Sequence, residues 1–186
     1  MPSKQRILGI DPGSIITGWG VIEGDRTRFQ HVGNGSIFTR KKEFHQRLIE
    51  IHRGLKEMIA TYQPTQVSIE QVFMAKNAQS ALKLGHARGV ALITALEAGL
   101  EVHEYTPMAI KQAVTGYGKA SKEQVGRMVQ TMLGLTEAPQ TDAGDALGAA
   151  ICHMLHLDQP ALSPLLAELS KSKRSRRRSS WPGGSR

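Results

Sequence analysis

Residues 6–14 read Arg6-Ile7-Leu8-Gly9-Ile10-Asp11-Pro12-Gly13-Ser14, an apolar run that stops at a carboxylate and a turn. A second apolar run, Val67-Ser68-Ile69-Glu70, stops in the same way. A helical crossover leads from it to the next strand, which predicts parallel pairing in that part of the sheet. We expect the first strand to lie beside the strand that ends at Glu70. Both carboxylates would then lie at the carboxyl edge of the sheet, where α/β folds place their sites.

The remaining elements predict a mixed sheet. Two strands follow the first one through short turns, which favours an antiparallel meander. The predicted elements are strands over 6–11, 17–22, 27–36, 66–70 and 101–105 and helices over 42–62, 78–98, from Thr106-Pro107, 121–133 and 142–157. The fold class is therefore α/β, a five-stranded mixed sheet with three antiparallel strands plus two parallel ones, flanked by helices.

Two more acids complete a candidate metal site. Asp142 and Asp145 are three residues apart at the start of a predicted helix and share one of its faces. A helix packed over the sheet edge would bring all four carboxylates together. Clustered carboxylates repel one another unless a cation lies between them, and such hard oxygen ligands suit Mg²⁺ or Mn²⁺ rather than zinc. The alternative for each acid is a turn or helix cap, above all for Asp142.

The positive charge is concentrated at the C-terminus. The chain of 186 residues has 24 Lys and Arg against 16 Asp and Glu, a net charge of +8. Residues 171–186 hold seven of the basic residues and no acid, which leaves 17 basic and 16 acidic residues, or +1, for the rest. We predict one folded domain over 1–158 and an extension over 159–186 with a disordered Arg/Ser-rich tail. The tail either solubilises the chain or attracts phosphates.

Other features narrow the classes of protein. The single cysteine, Cys152, excludes an internal disulfide and is expected inside the last helix. No stretch has the length of a membrane span and the start is no signal peptide, so we expect a cytoplasmic protein. His153 and His156 have metal-ligand spacing, but a favourable charge at the helix C-terminus is the preferred interpretation.

Several motifs resemble one known family. They are Ile10-Asp11-Pro12-Gly13, Ile69-Glu70-Gln71-Val72-Phe73, the block 80–89, Ile110-Lys111-Gln112 with Gly116-Tyr117-Gly118, and Asp142-Ala143-Gly144-Asp145-Ala146-Leu147. In this order, over residues 6–157, they resemble the RuvC family of Holliday junction resolvases. Gly144, where many members carry alanine, departs from the pattern without removing a ligand.

The resemblance implies a ribonuclease H-like fold and a homodimer that nicks two symmetric strands of a four-way DNA junction. The nicks leave 5′-phosphate and 3′-hydroxyl ends, in homologous recombination and DNA repair. It implies two Mg²⁺ ions per active site, with Mn²⁺ as a substitute, and the RuvAB branch-migration complex as a partner. The catalytic metal ligands would be Asp11, Glu70, Asp142 and Asp145. The DNA-binding residues would be Phe73, which stacks on junction bases, together with Lys76, Lys111 and Lys122.

Other functions stay open on the residues alone. A different ribonuclease H-like nuclease could act on RNA or other branched substrates. Sugar kinases and actin-like ATPases have a related sheet, but they need two such domains and this chain is too short. A non-catalytic junction-binding module would leave the clustered acids to repel DNA. The small residues Ala78, Ala81, Gly85 and Gly89 could serve packing on the chain's own sheet or a two-fold interface.

Overall fold

The computed structural model describes residues 4–40, 42–71 and 77–157. Phe73, Lys76 and the extension predicted for 159–186 lie outside these residues. The strands are β1 (Gln5–Asp11), β2 (Ile16–Gly24), β3 (Phe29–Phe38), β4 (Gln66–Glu70) and β5 (Glu101–Tyr105). The helices are α1 (Phe44–Tyr62), α2 (Ala78–Glu97), α3 (Pro107–Thr115), α4 (Lys122–Leu133) and α5 (Thr141–Leu155).

The five strands form one mixed sheet in the order β3-β2-β1-β4-β5. β1 pairs with β2 antiparallel and with β4 parallel, and β4 pairs with β5 parallel. The predicted α/β fold, with three antiparallel strands plus two parallel ones, is therefore confirmed. So is the placement of β1 beside the strand that ends at Glu70.

The largest difference from prediction is in β3, which is shifted by two residues toward the C-terminus. The turn before it is longer than expected because the Asp25 carboxylate accepts hydrogen bonds from the backbone of Thr27 and Arg28 and from the Thr27 hydroxyl. At its other end β3 continues to Phe38, which pairs with Ile16 at the start of β2. The hairpin therefore reaches further toward the carboxyl edge of β1 than the sequence suggested.

Helices cover both faces of the sheet. α1 and α2 pack on one face, around a core that includes Leu8, Ile51 and Val67. α3, α4 and α5 lie on the other, around a core that includes Ile7, Leu147 and Ile151. Within the described part of the chain, none of the helices has the length and apolar character needed to cross a membrane.

α5 lies unusually close to the sheet because glycines face it. A Cβ atom at Gly9 would overlap the carbonyl of Ala146, and one at Gly18 would overlap the carbonyl of Asp142. Glycine inside a strand is a sign of such close backbone approach. The hydroxyl of Ser68 on β4 donates a 2.8 Å hydrogen bond to the carbonyl of Ala149, which fixes the helix along the sheet.

The C-terminal part of α5 corrects one prediction. His153 is buried, with its Nδ1 2.8 Å from the Tyr105 hydroxyl and its Nε2 2.9 Å from Oε1 of Gln66. Burial, followed by the charges of His103 and His156, lowers the pKa of His153 to about 3. The prediction that His153 carries a charge favourable to the helix end is wrong, because the ring is neutral at ordinary pH. Cys152 is fully buried, as predicted.

Candidate active site

Asp11 and Glu70 project from the same edge and the same face of the sheet. They end the adjacent parallel strands β1 and β4, in a register that pairs Gly9 with Ser68. Gly9 faces α5, and Ser68 bonds to α5. Because side chains two residues apart on a strand share a face, Asp11 and Glu70 also face α5.

The first two turns of α5 carry the other two carboxylates to this edge. α5 begins at Thr141, and its N-cap residue Gln140 makes no side-chain cap. Asp142 lies inside the first turn, so the alternative that it caps the helix is wrong. Its backbone lies over Gly18, the residue that pairs with Asp11 across the β1–β2 ladder. The positive end of the helix dipole favours acids at this position.

The four carboxylates interact electrostatically, and the pKa of Asp11 is the most strongly affected. Burial raises the pKa of Asp11 to about 8, with further contributions from Glu70, Asp145 and Asp142 in that order. Burial and the charge of Asp145 also raise the pKa of Glu70. A carboxylate is disfavoured when water is removed and other negative charges are near. The negative charge of these four carboxylates is therefore not fully compensated by nearby positive charge.

Two lysines compensate part of this negative charge. Nζ of Lys122, the first residue of α4, lies 2.9 Å from Oδ2 of Asp145. This hydrogen bond is the main cause of a raised pKa for Lys122, with the charges of Asp11 and Glu70 adding to it. The charge of Lys111 on α3 acts on Glu70 and opposes the rise of its pKa. The structure thus places both predicted lysines beside the acids.

The residues fit a divalent cation by their chemistry. All four acids are hard oxygen donors, the kind of ligand that Mg²⁺ and Mn²⁺ take. Within residues 4–40, 42–71 and 77–157, no three acidic, histidine or cysteine side chains already converge into a cation cage. Asp145 is instead bonded to Lys122. Two observations support a bound cation: all four side chains are oxygen donors, and the pKa of Asp11 is raised to about 8. The raised pKa shows that the negative charges near Asp11 are not compensated.

The residues that let α5 approach the sheet were not predicted from the sequence. Gly9 and Gly18 determine how close Asp142 comes to Asp11, and Ser68 fixes α5 along β4. A signal was present, because glycines interrupt β1 and β2 where strands favour branched side chains. Phe73 and Lys76 fall outside the described residues, so their predicted roles stay predictions.

A five-stranded mixed sheet with one carboxylate at the end of β1, one at the end of β4 and a second pair on the helix across them defines a ribonuclease H-like nuclease. The family model described as crossover junction endodeoxyribonuclease RuvC matches residues 7–153. The chain belongs to the RuvC family.

Relatives and solved structures agree with this assignment. A RuvC from Geobacter metallireducens is 58% identical over 150 residues, covering 80% of this chain and 92% of the relative. One from Vibrio campbellii is 58% identical over 147 residues, covering 79% and 85%. The structure of Thermus thermophilus RuvC in complex with a Holliday junction substrate matches with a TM-score of 0.77 at 34% identity, covering 82% of this chain and 94% of that one.

A more distant structure shares the fold alone. The yeast mitochondrial Holliday junction resolvase Ydc2 matches with a TM-score of 0.58 at 10% identity, covering 93% of this chain and 85% of that one. The ribonuclease H-like fold predicted from the motifs is therefore confirmed.

Replacing Asp11 by Asn should stabilise the metal-free protein at neutral pH. The pKa of Asp11 rises from 3.8 to about 8 on folding, so the native state holds a proton that the unfolded state releases. Stability from this group is complete below about pH 4 and is lost as the pH rises through about 8. At pH 7.5 in EDTA we expect the variant to gain about 2 kcal/mol or more in urea unfolding, and nothing at pH 4.

The control is Asp25→Asn, because hydrogen bonds from Thr27 and Arg28 lower the pKa of that exposed carboxyl. It should gain no stability at pH 7.5. Adding Mg²⁺ should stabilise the wild type and leave Asp11→Asn nearly unchanged, since ligand binding to the native state alone is stabilising. Equal stability of Asp11→Asn and wild type at pH 7.5 in EDTA would contradict the proposed electrostatics.

Proposed function

We propose that the chain is a crossover junction endodeoxyribonuclease. It resolves four-way DNA junctions by paired symmetric nicks that leave 5′-phosphate and 3′-hydroxyl ends, in homologous recombination and DNA repair. The observation that carries the proposal is the electrostatic effect of Glu70, Asp142 and Asp145 on Asp11 at one sheet edge, in a chain that belongs to the RuvC family over residues 7–153. The solved relative from Thermus thermophilus is in complex with a Holliday junction substrate, which supports the same substrate here.

The four carboxylates would hold two Mg²⁺ ions, for which Mn²⁺ could substitute. Bound there, such cations would activate water and neutralise charge on the leaving 3′ oxygen. The raised pKa of Asp11 supports this role, because a cation recovers the energy lost by ionising a buried carboxylate. Lys122 holds Asp145 in place, and its ammonium group adds positive charge near the scissile phosphate. Lys111 would act on the Glu70 side.

Phe73 and Lys76 are proposed as DNA contacts. They lie three and six residues after Glu70 in the chain, and the segment that leaves β4 starts at the edge where Glu70 lies. An aromatic ring at such a place can stack on bases unpaired at the crossover, and a lysine can meet a phosphate.

Two copies of the chain would form the active enzyme. A junction has two equivalent strands to cut, and two-fold symmetry supplies two equivalent sites. α2 offers a matching surface, an exposed stripe that we call the α2 stripe and that consists of Leu82, Gly85, Gly89, Ile93 and Leu96. The residues of α2 that contact its own sheet are others, such as Ala87 and Ala91.

The glycines of the α2 stripe favour the two-fold interface over packing on the chain's own sheet. A Cβ atom built on Gly85 or Gly89 meets no atom within 4 Å, so the monomer does not need glycine at either position. Glycine inside a helix costs about 1 kcal/mol relative to alanine. Close approach of a second helix backbone would explain both glycines and would cover the neighbouring exposed Leu82 and Ile93.

The remaining assignments concern the setting of the reaction. We propose that the enzyme works in the cytoplasm with the RuvAB branch-migration complex, as the family resemblance implies. Residues 1–158 would form the nuclease domain, and the Arg/Ser-rich extension over 159–186 would add either solubility or salt-dependent attraction to phosphates.

The substrate assay tests the function directly. With Mg²⁺, the wild type should cut a synthetic four-way junction by symmetric paired nicks and leave linear duplex and an RNA–DNA hybrid intact. Glu70→Gln should lower single-turnover cleavage about 100-fold or more while keeping junction affinity within about two-fold, because it removes a ligand and not a DNA contact. Glu97→Gln, at the far end of α2, is the matched control. Equal cutting of the hybrid, or full activity of Glu70→Gln, would overturn the proposal.

A charge within the α2 stripe should separate the two copies. Ile93 is 51% exposed, so Ile93→Glu should leave the monomer fold intact and give light-scattering masses of one chain instead of two. The reason is that a buried unpaired carboxylate strongly disfavours an interface. Ile49→Glu, on a residue of α1 that is 56% exposed, should leave the mass unchanged. A wild type that is monomeric at micromolar concentration, or a dimeric Ile93→Glu, would exclude this interface.

A further inference from the structure

Phe38 lies on the face of the sheet that carries Asp11. It is on β3, two strands away from β1, and one row further toward the edge where Asp11 lies. The β-ladders place Asp11, Gly18 and Ser36 in one row across β1, β2 and β3, and Ile16 and Phe38 in the next row outward. Residues two apart on a strand share a face, so Phe38 is on the same face as Asp11 and the start of α5. From strand and residue spacings, its Cα is about 12 Å from that of Asp11.

The Phe38 ring is outside the hydrophobic core. Its exposed fraction is 63%, and the neighbouring Ile15 is 42% exposed. By contrast, Ile37 packs against the core on the opposite face, and Thr39 is 1% exposed. Phe38 is thus a large aromatic side chain exposed to solvent near the four acids. Among the described residues, no core contact gives it a role in the stability of the monomer.

The backbone that carries Phe38 is fastened to the catalytic turn. The amide of Thr39 donates a 2.9 Å hydrogen bond to the carbonyl of Ile15. The Thr39 hydroxyl lies 3.1 Å from the carbonyls of both Ser14 and Ile15. Ser14 and Ile15 belong to the turn that follows Asp11, so the backbone next to Phe38 is held close to the end of β1.

The charge next to Phe38 suits a polyanion. Residues 40–47 contain four basic side chains, Arg40, Lys41, Lys42 and Arg47, and one acidic one, Glu43. Lys42 pairs with Glu50 at 3.2 Å. Arg40 is exposed, and no carboxylate in the described residues lies within ion-pair distance of it. An exposed aromatic ring two residues from an exposed arginine is a combination that can contact bases and phosphates of nucleic acid.

We propose that Phe38 is a second aromatic DNA contact, which packs on the nucleotide beside the scissile phosphate while Arg40 meets the adjoining phosphate. The inference rests on the proposed junction-cleaving function and extends its site onto the β2–β3 hairpin. DNA is a better occupant than a second copy of the chain. Two exposed apolar side chains offer far less than the roughly 800 Å² per partner of a stable protein interface, and the patch adjoins the acids that act on phosphate.

The test compares Phe38→Ala, Phe38→Trp, Arg40→Ala and Ile49→Ala in fluorescence anisotropy with a labelled four-way junction in Ca²⁺ at several salt concentrations. Phe38→Ala should weaken binding about five-fold or more, with an unchanged salt slope, because it removes stacking and no charge. Phe38→Trp should bind within about two-fold of the wild type. Arg40→Ala should reduce the salt slope by about one, as expected for one lost phosphate contact.

Ile49→Ala is the matched control, since Ile49 is similarly exposed but lies on α1, which covers the opposite face of the sheet. It should bind like the wild type. The inference is overturned if Phe38→Ala binds like Ile49→Ala, or if it changes the oligomeric mass instead of the junction affinity. A wild type that does not cleave junctions would refute the proposed function itself, whereas wild-type cleavage with a silent Phe38→Ala refutes only this contact.

Discussion

The constraint on which this structure depends is the crowding of partly buried carboxylates at one edge of the sheet. Asp11 is the extreme case, because burial and three neighbouring acids raise its pKa to about 8. Such an arrangement opposes folding at neutral pH and has to be offset by packing elsewhere. The two cores on either side of the sheet supply that packing. A cation bound among the acids, as proposed above, would recover this lost stability.

The position of α5 links the fold to the chemistry. Its backbone rests on Gly9 and Gly18, and the Ser68 hydroxyl bonds to its middle. These contacts leave little freedom in the position of Asp142 and Asp145 relative to β1 and β4. Larger side chains on β1 or β2 would push the helix outward and separate the two pairs of acids. The strand glycines therefore control the geometry of the site, although they bear no reactive group.

The two faces of the sheet carry different features. The face under α5 carries the acids, the Lys122 contact and, at its rim, Phe38. The opposite face is covered by α1 and α2, and α2 turns its stripe of Leu82, glycines and Ile93 to the outside. This division would let two copies join through α2 while each keeps its acids open to DNA.

Much of this could be predicted from the sequence, and the limits have physical causes. The ends of β1 and β4 and the spacing of Asp142 and Asp145 followed from local patterns of apolar and acidic residues. The burial of His153 did not, because its partners Tyr105 and Gln66 lie 48 and 87 residues away. The exposure of Phe38 was also hidden, since it depends on how far β3 pairs with β2. The local pattern of apolar and polar residues predicts where a helix or strand lies. Whether a residue near its end is buried or exposed depends on tertiary packing.

The most direct measurement is an NMR titration of the carboxyl carbon of Asp11 with and without Mg²⁺. We expect a pKa of about 8 in EDTA and a fall to below the ordinary 3.8 when Mg²⁺ saturates the site. A pKa near 4 in EDTA, or a raised pKa that Mg²⁺ does not change, would contradict it.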